Sequence, residues 1–196
     1  MGKRSDEKEE SRQRIVAAAS KLIRRKGIAG LKVADVMAAA GLTHGAFYAH
    51  FADKNALIEA AFHEAFDHRE KWIGSARKRS TEERLAHLLS TYLTPKHRDT
   101  PEDGCAFASL AREFAQAGGE LPTVFEGELG ISINRLVELL EDEHDDARQT
   151  AMGVLSLCVG GMALARAVDS PKLSNELLKA ARAYGEERHI TKGESE

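Results

Sequence analysis

The segment Gly41-Leu42-Thr43-His44-Gly45-Ala46-Phe47-Tyr48-Ala49-His50-Phe51, followed by Asp53-Lys54, decides the reading of this chain. Gly41 closes an alanine-rich helical run and can take the positive φ that stops a helix. Thr43 suits the N-cap of a short helix and Asp53 the N-cap of the next. His44 and Tyr48 stand at i and i+4 and so share one helical face, while Phe47 and Phe51 share another that can face a core. One side is therefore apolar. The other carries stacking and hydrogen-bonding groups without a carboxylate, as a helix entering a nucleic-acid groove requires.

Outward from that segment the pattern is helical. Ile15, Ala18, Ala19, Leu22 and Ile23 predict a helix over about Ser11–Lys26, ended by Gly27. A second helix is expected over about Val33–Ala40, with Val33, Val36, Met37 and Ala40 turned inward, and a third over Thr43–Tyr48. The fourth starts after Asp53 and runs through Leu57, Ile58, Ala61, Phe62 and Phe66 to near Arg77. Further helices are expected over about Thr81–Leu93, Cys105–Gln116, Pro122–His144, Asp146–Val168 and Pro171–Arg188. A polar loop from Thr94 to Gly104 holds Pro95 and Pro101. The chain thus reads as all-α, with about nine helices. Residues 1–10 are charged and expected to be disordered, and the polar tail 189–196 to be flexible.

From Arg14-Ile15, through Val36-Met37-Ala38-Ala39-Ala40-Gly41-Leu42, to Lys54-Asn55-Ala56-Leu57, the chain resembles the DNA-binding domain of the TetR family of transcriptional regulators. The resemblance implies an N-terminal three-helix helix-turn-helix DNA-binding domain over 11–54. It also implies a C-terminal helical domain over 55–188 for ligand binding and dimerisation. In that family the third helix enters the major groove. Thr43, His44, Gly45 and Tyr48 fall on positions implied to touch bases or phosphates there, and Lys32, His50 and Lys54 on positions that meet the DNA backbone. Tyr48 can equally be a half-buried packing residue and His50 an ordinary surface histidine. A cation at Lys54 opposes the dipole of the helix it begins by a few tenths of a kcal/mol, a cost that a nearby phosphate reverses. Two positions depart from the family pattern. Lys32 stands where a capping threonine is usual, losing about 1 kcal/mol of cap, and Met37 replaces a small residue between the second and third helices.

The 196 residues carry a net charge of only −3, unevenly spread. Residues 1–54 hold 11 Lys and Arg against 6 Asp and Glu, leaving 17 against 25 in the remainder. Such asymmetry fits a protein of which one part meets phosphate. Cys105 and Cys158 make no disulfide framework. No charge-free apolar run approaches about 20 residues, so no membrane span is predicted. The N-terminus lacks a signal-peptide core, and a cytoplasmic location is expected. No cofactor or metal pattern is present: His63 and His68 are five apart, and His87 and His97 straddle a loop. Cys105 with His87 or His97 can be sketched as a nucleophile and base, but nothing in the sequence sets their geometry, and the chain does not read as an enzyme.

The Asp146–Val168 stretch is apolar nearly all round and rich in Gly and Ala, so burial on several sides is expected. Leu157, Gly160, Gly161 and Leu164 there, with Leu173, Leu177, Leu178, Ala181 and Tyr184 of the last helix, are candidates for a homodimer interface. The resemblance implies a four-helix contact between two copies, although both helices can also pack within one protomer. Phe62, Phe66, Trp72, Tyr92, Phe107, Leu110, Phe114, Phe125 and Leu155 suit either an effector cavity or a plain core. Cys105, at a helix N-terminus, suits either a reactive thiol sensor or a small buried apolar residue.

The resulting expectation is a DNA-binding transcriptional regulator, a repressor released from a near-palindromic double-stranded operator by a small apolar or electrophilic effector. The resemblance implies that effector binding tilts the fourth helix and changes the spacing of the two reading heads. The alternatives are a non-DNA-binding helical interaction protein on the same fold and a cysteine-dependent enzyme.

Overall fold

The computed structural model describes residues 3–141 and 146–190. Among them the α-helices in chain order are α1 (Lys3–Gly30), α2 (Val33–Ala39), α3 (Lys54–Glu64), α4 (Asp67–Ala76), α5 (Arg84–Tyr92), α6 (Pro95–Asp99), α7 (Ala106–Gln116), α8 (Leu121–Leu140), α9 (Ala147–Ala167) and α10 (Pro171–Ile190). A 3-10 helix spans His44–Ala49 between α2 and α3. The chain forms two compact units. One takes the residues up to Asp67 together with Pro101–Phe125, the other His68–Thr100 together with the chain from Glu126.

In the first unit α1 buries Ile15, Ala19 and Ile23 completely, as their helical spacing predicts. The helix begins at Lys3 rather than near Ser11. Its early turns carry Asp6 where the helix dipole favours an acid, and Ser11 Oγ donates to the Glu7 carbonyl at 2.9 Å. Gly27, at φ 75°, breaks the helix before a last turn to Gly30. Asp53 caps α3 by accepting from the Ala56 amide at 2.9 Å. The fourth helix expected to reach Arg77 is interrupted after Glu64. Its last amides bond to the third residue back, Ala65 to Phe62 and Phe66 to His63, and this tightening tucks the Phe66 ring against Phe62 and Phe107. Phe62 sits at the centre of this unit, its ring centroid 4.1 Å from that of Phe114 and 5.6 Å from that of Phe125.

The second unit is built on α5, α9 and α10. Small residues set their spacing. A Cβ on Gly161 would lie 3.0 Å from that of Ala181, and one on Gly185 would lie 2.6 Å from Leu89 and 2.9 Å from Leu157. By length and composition α9 is apolar enough to cross a membrane. It nevertheless packs on α5, α6 and α10 and buries Val154, Leu155, Cys158 and Met162 there. The expected loop after Thr94 contains α6 and a 3-10 turn over Pro101–Asp103. Thr94 accepts from the His97 amide at 3.1 Å, and Pro95 at the first helical position needs no partner for an amide it lacks. The expected flexible tail falls outside the described residues beyond Ile190, as do positions 142–145 of the helix expected to reach His144.

His97 is packed edge-on to Tyr92, ring centroids 4.4 Å apart, and its Nδ1 lies 2.8 Å from the Tyr92 carbonyl oxygen. Burial pushes the imidazole below its ordinary value of 6.5; the Tyr92 carbonyl opposes that shift and the Arg166 guanidinium adds to it. Between 6.5 and the lower folded value the unfolded chain binds more protons, so His97 makes stability rise with pH and contributes fully above 6.5. Urea midpoints measured from about pH 5 to pH 8 should rise and then level off, and His97→Gln should remove that part of the slope. An identical slope in the variant would exclude His97 as its source.

Candidate nucleic-acid interface

The loop between α2 and α3 is shaped by two local features. Gly41, at φ 70°, turns the chain out of α2, and Arg14 of α1 donates to the Ala40 carbonyl just before it at 3.3 Å. Phe47 and Phe51 then anchor the following segment from beneath, both buried and stacked with centroids 5.8 Å apart. Arg12 lies over the outer ring, its guanidinium carbon 5.3 Å from the Phe51 centroid.

Between these anchors the backbone winds as a 3-10 helix, with the Ala46 amide on the Thr43 carbonyl at 3.1 Å and the His50 amide on the Phe47 carbonyl at 2.9 Å. This alters the expected face. In a 3-10 helix residues three apart eclipse, so Gly45 and Tyr48 align and His44 stands about a third of a turn away. Both side chains still point outward. Thr43, His44 and Gly45 are exposed and Tyr48 is 71 % exposed, with its ring set edge-on to Phe47. A Cβ on Gly45 would have no neighbour within 4 Å, so the main chain there is open to a close approach. Thr43 takes the N-cap position, but its hydroxyl makes no capping bond.

Lys32 occupies the N-cap position of α2 without a side-chain capping bond, as its chemistry requires, and is exposed. Next to it the Lys26 ammonium lies 2.9 Å from the Asp35 carboxylate. That hydrogen bond, with the charges of Lys26 and Lys32, holds the carboxyl below its ordinary range. The carboxylate of α2 is thus offset by cations. His50 is half-buried at the end of the 3-10 helix, with Nδ1 buried and without a hydrogen-bond partner. Lys54 is half-buried at the start of α3 and gives one hydrogen from Nζ to the Ile28 carbonyl at 3.1 Å. That carbonyl takes up the cation that begins α3 against its dipole.

The structure sorts the remaining candidates. Phe62, Phe66, Phe107, Phe114 and Phe125 form one aromatic cluster in the first unit, where Leu110 is also buried. Trp72 and Tyr92 pair in the second unit, centroids 5.3 Å apart, where Leu155 is buried. Six of the nine thus fall in the first unit and three in the second. Among the dimer candidates Leu164, Leu173 and Tyr184 are exposed at 57 %, 45 % and 56 %, while Leu178 is 3 % exposed and serves the protomer's own core. Gly161 and Ala181 likewise meet within the chain. Leu157, Gly160 and Leu177 are half-buried. Cys105 is the N-cap residue of α7 and half-buried, and Cys158 is buried. Of the histidines that could be paired with Cys105 on paper, His87 Nε2 is bonded with Ser75 Oγ at 2.9 Å and His97 with the Tyr92 carbonyl.

Sequence inspection misses the braces of this interface. Nothing in the local sequence links Arg12 to the Phe51 ring or Arg14 to the Ala40 carbonyl. Glu113, whose carboxylate binds the Ile28 amide at 2.6 Å, is 85 residues away with no local signal to link them.

An outward polar element on a three-helix scaffold, with its apolar rings locked beneath, is the arrangement of a helix-turn-helix DNA-binding domain. Residues 15–61 match the family of bacterial regulatory proteins called the tetR family. Over 66 residues the chain is 38 % identical to the HTH-type transcriptional regulator TtgR of Pseudomonas putida, covering 32 % of this chain and 31 % of that protein. The matched stretch is thus less than a third of that relative. A solved TetR regulator from Chloroflexus aurantiacus superposes with a TM-score of 0.75 at 22 % identity, covering 91 % of this chain and 96 % of that one. A second, from Agrobacterium tumefaciens, gives 0.76 at 20 % identity, covering 93 % and 98 %. Residues 15–61 thus carry the DNA-binding region of the tetR family of bacterial regulatory proteins, and the chain as a whole shares the fold of solved TetR regulators.

Beyond the edge-on contact of Tyr48 with Phe47, these exposed side chains are open to solvent. His44→Ala and Tyr48→Ala are each expected to shift unfolding free energy by no more than about 0.5 kcal/mol. Urea denaturation followed by circular dichroism checks this, and a loss several times larger would make them packing residues.

Proposed function

We propose that this protein is a cytoplasmic, homodimeric repressor that leaves a near-palindromic operator when a small apolar or electrophilic effector binds. The observation that carries the reading is the outward set of Thr43, His44, Gly45 and Tyr48 above the locked Phe47–Phe51 pair. Stacking and hydrogen-bonding groups turned outward suit base edges, and Lys32, His50 and Lys54 beside them suit phosphates. The exposed apolar residues Leu164, Leu173 and Tyr184 support self-association through α9 and α10. A two-fold dimer sets two reading elements about 34 Å apart, one turn of DNA, which is why a near-palindrome is expected.

Effector release has a physical route in α3. That helix carries Lys54 at its first turn and Phe62, the centre of the phenylalanine cluster, near its last. An apolar molecule wedged among those rings would shift α3 and the reading element with it. For an electrophile the candidate is Cys105, half-buried at the N-cap of α7 beside the buried guanidinium of Arg24.

Selection from a random pool of DNA duplexes should return a near-palindromic sequence, with binding that weakens steeply as salt rises. Tyr48→Ala and Lys54→Ala should weaken that binding while size-exclusion chromatography still reports a dimer. Wild-type affinity in both variants would overturn the assignment of the reading face. In a separate series, electrophiles that release the wild-type protein should fail to release Cys105→Ser. A normal response there would remove the thiol from the mechanism.

A further inference from the structure

We infer that Glu113 is a positioning residue for DNA binding, setting the Lys54 ammonium against the DNA backbone through residue Ile28. The inference rests on the proposed role of Lys54 as a phosphate contact. Its geometry lies within the first unit. The break at Gly27, with φ 75° and ψ 176°, ends the main run of α1 and starts a separate last turn. The amides that open such a turn need an acceptor, usually a side-chain oxygen on the residue before them. Here that residue is glycine. Glu113 of α7 supplies the oxygen instead, accepting from the Ile28 amide at 2.6 Å and the Ala29 amide at 3.3 Å.

The same residue, Ile28, offers its carbonyl to Lys54 Nζ at 3.1 Å. One residue thus joins a carboxylate on α7 to a cation on α3. The carbonyl takes one of the three ammonium hydrogens and leaves two for a phosphate. A lysine on a flexible four-carbon stem has no fixed direction of its own; the Ile28 carbonyl gives it one, and Glu113 fixes the carbonyl by fixing the turn. A Cβ at Gly27 would collide with the Glu113 carboxylate and would take a φ of 75° that side chains rarely adopt, so a substitution there would displace that carboxylate. The negative charge of Glu113 is not what DNA binding needs. Its acceptor oxygens are.

A double-mutant cycle tests this on the full chain, using the selected operator duplex and salt from 50 to 200 mM. Removing one phosphate contact per protomer, two per dimer, should reduce the fall in affinity across that range by about 12-fold. Lys54→Ala and Glu113→Ala should each do so, and the double variant should do no more than either. Glu113→Gln, which keeps an acceptor for the Ile28 amide, should bind as wild type. If Glu113→Ala does not fold, Glu113→Asp, one methylene short of both amides, takes its place in the cycle. Additive losses, or wild-type salt dependence in the Glu113 variant, overturn the positioning role and leave Lys54 as a phosphate contact. Wild-type salt dependence in Lys54→Ala overturns the assignment of Lys54, and this inference with it.

Discussion

Burial of a charged guanidinium in α1 is the constraint around which the first unit is arranged. Arg24 is 6 % exposed, and its Nε and Nη1 donate to the Ser20 and Gly104 carbonyls at 3.0 Å and 2.9 Å. Desolvation lowers its pKa, and Asp103, Cys105, Glu102 and Glu64 act in the opposite direction. A buried charge is tolerated when its hydrogens are matched and opposite charge is near, and removing such a partner costs far more than the pair contributes. The arginine therefore dictates where the chain before α7 must lie. With Gly104 held there and Glu113 bonded beyond Gly27, α7 is fastened along the C-terminal half of α1 at two points. The phenylalanines of α3, α7 and α8 fill the space these fastenings define.

What the sequence revealed about the fold was local. Ile15, Ala19 and Ile23, Val36, the turn at Gly41 and the Asp53 cap are each decided by residues within about four positions, the reach of a helical hydrogen bond. The same reach explains the misses. Six residues between Thr43 and His50 are too few for periodicity to separate a 3-10 winding from an α-helix. Thr94 and Pro95 carry a cap and a helix start, but beside Pro101 they read as loop. Leu164 and Leu178 are alike as residues, yet one is exposed and the other buried, because neighbours distant in sequence decide the matter. Of the candidate interface, the exposure of Thr43, His44, Gly45 and Tyr48 follows from local pattern, whereas the Glu113 to Ile28 contact joins residues that no sequence window holds together.

In the second unit, glycines rather than large apolar residues determine how closely helices lie. Gly161 and Gly185 bring α9 and α10 together, and α10 down on Leu89, at distances that a Cβ would crowd. An ion pair is also enclosed: Arg69 reaches Glu128 at 2.7 Å and Ser132 at 3.1 Å. Such a pair adds little net stability over an apolar replacement of the same shape, but it penalises any packing of α4 on α8 that would separate the charges. Close approach is thus combined with a defined register.

With His44–Ala49 as the proposed reading element, its 3-10 winding would also limit how much sequence one copy can inspect. Six residues at about 2.0 Å each make an element roughly 12 Å long, no more than three or four base steps of a duplex. So short a word recurs by chance throughout any chromosome. In the proposed dimer, discrimination among sites would come from two such words held at a fixed separation, and from how readily the base pairs between them bend.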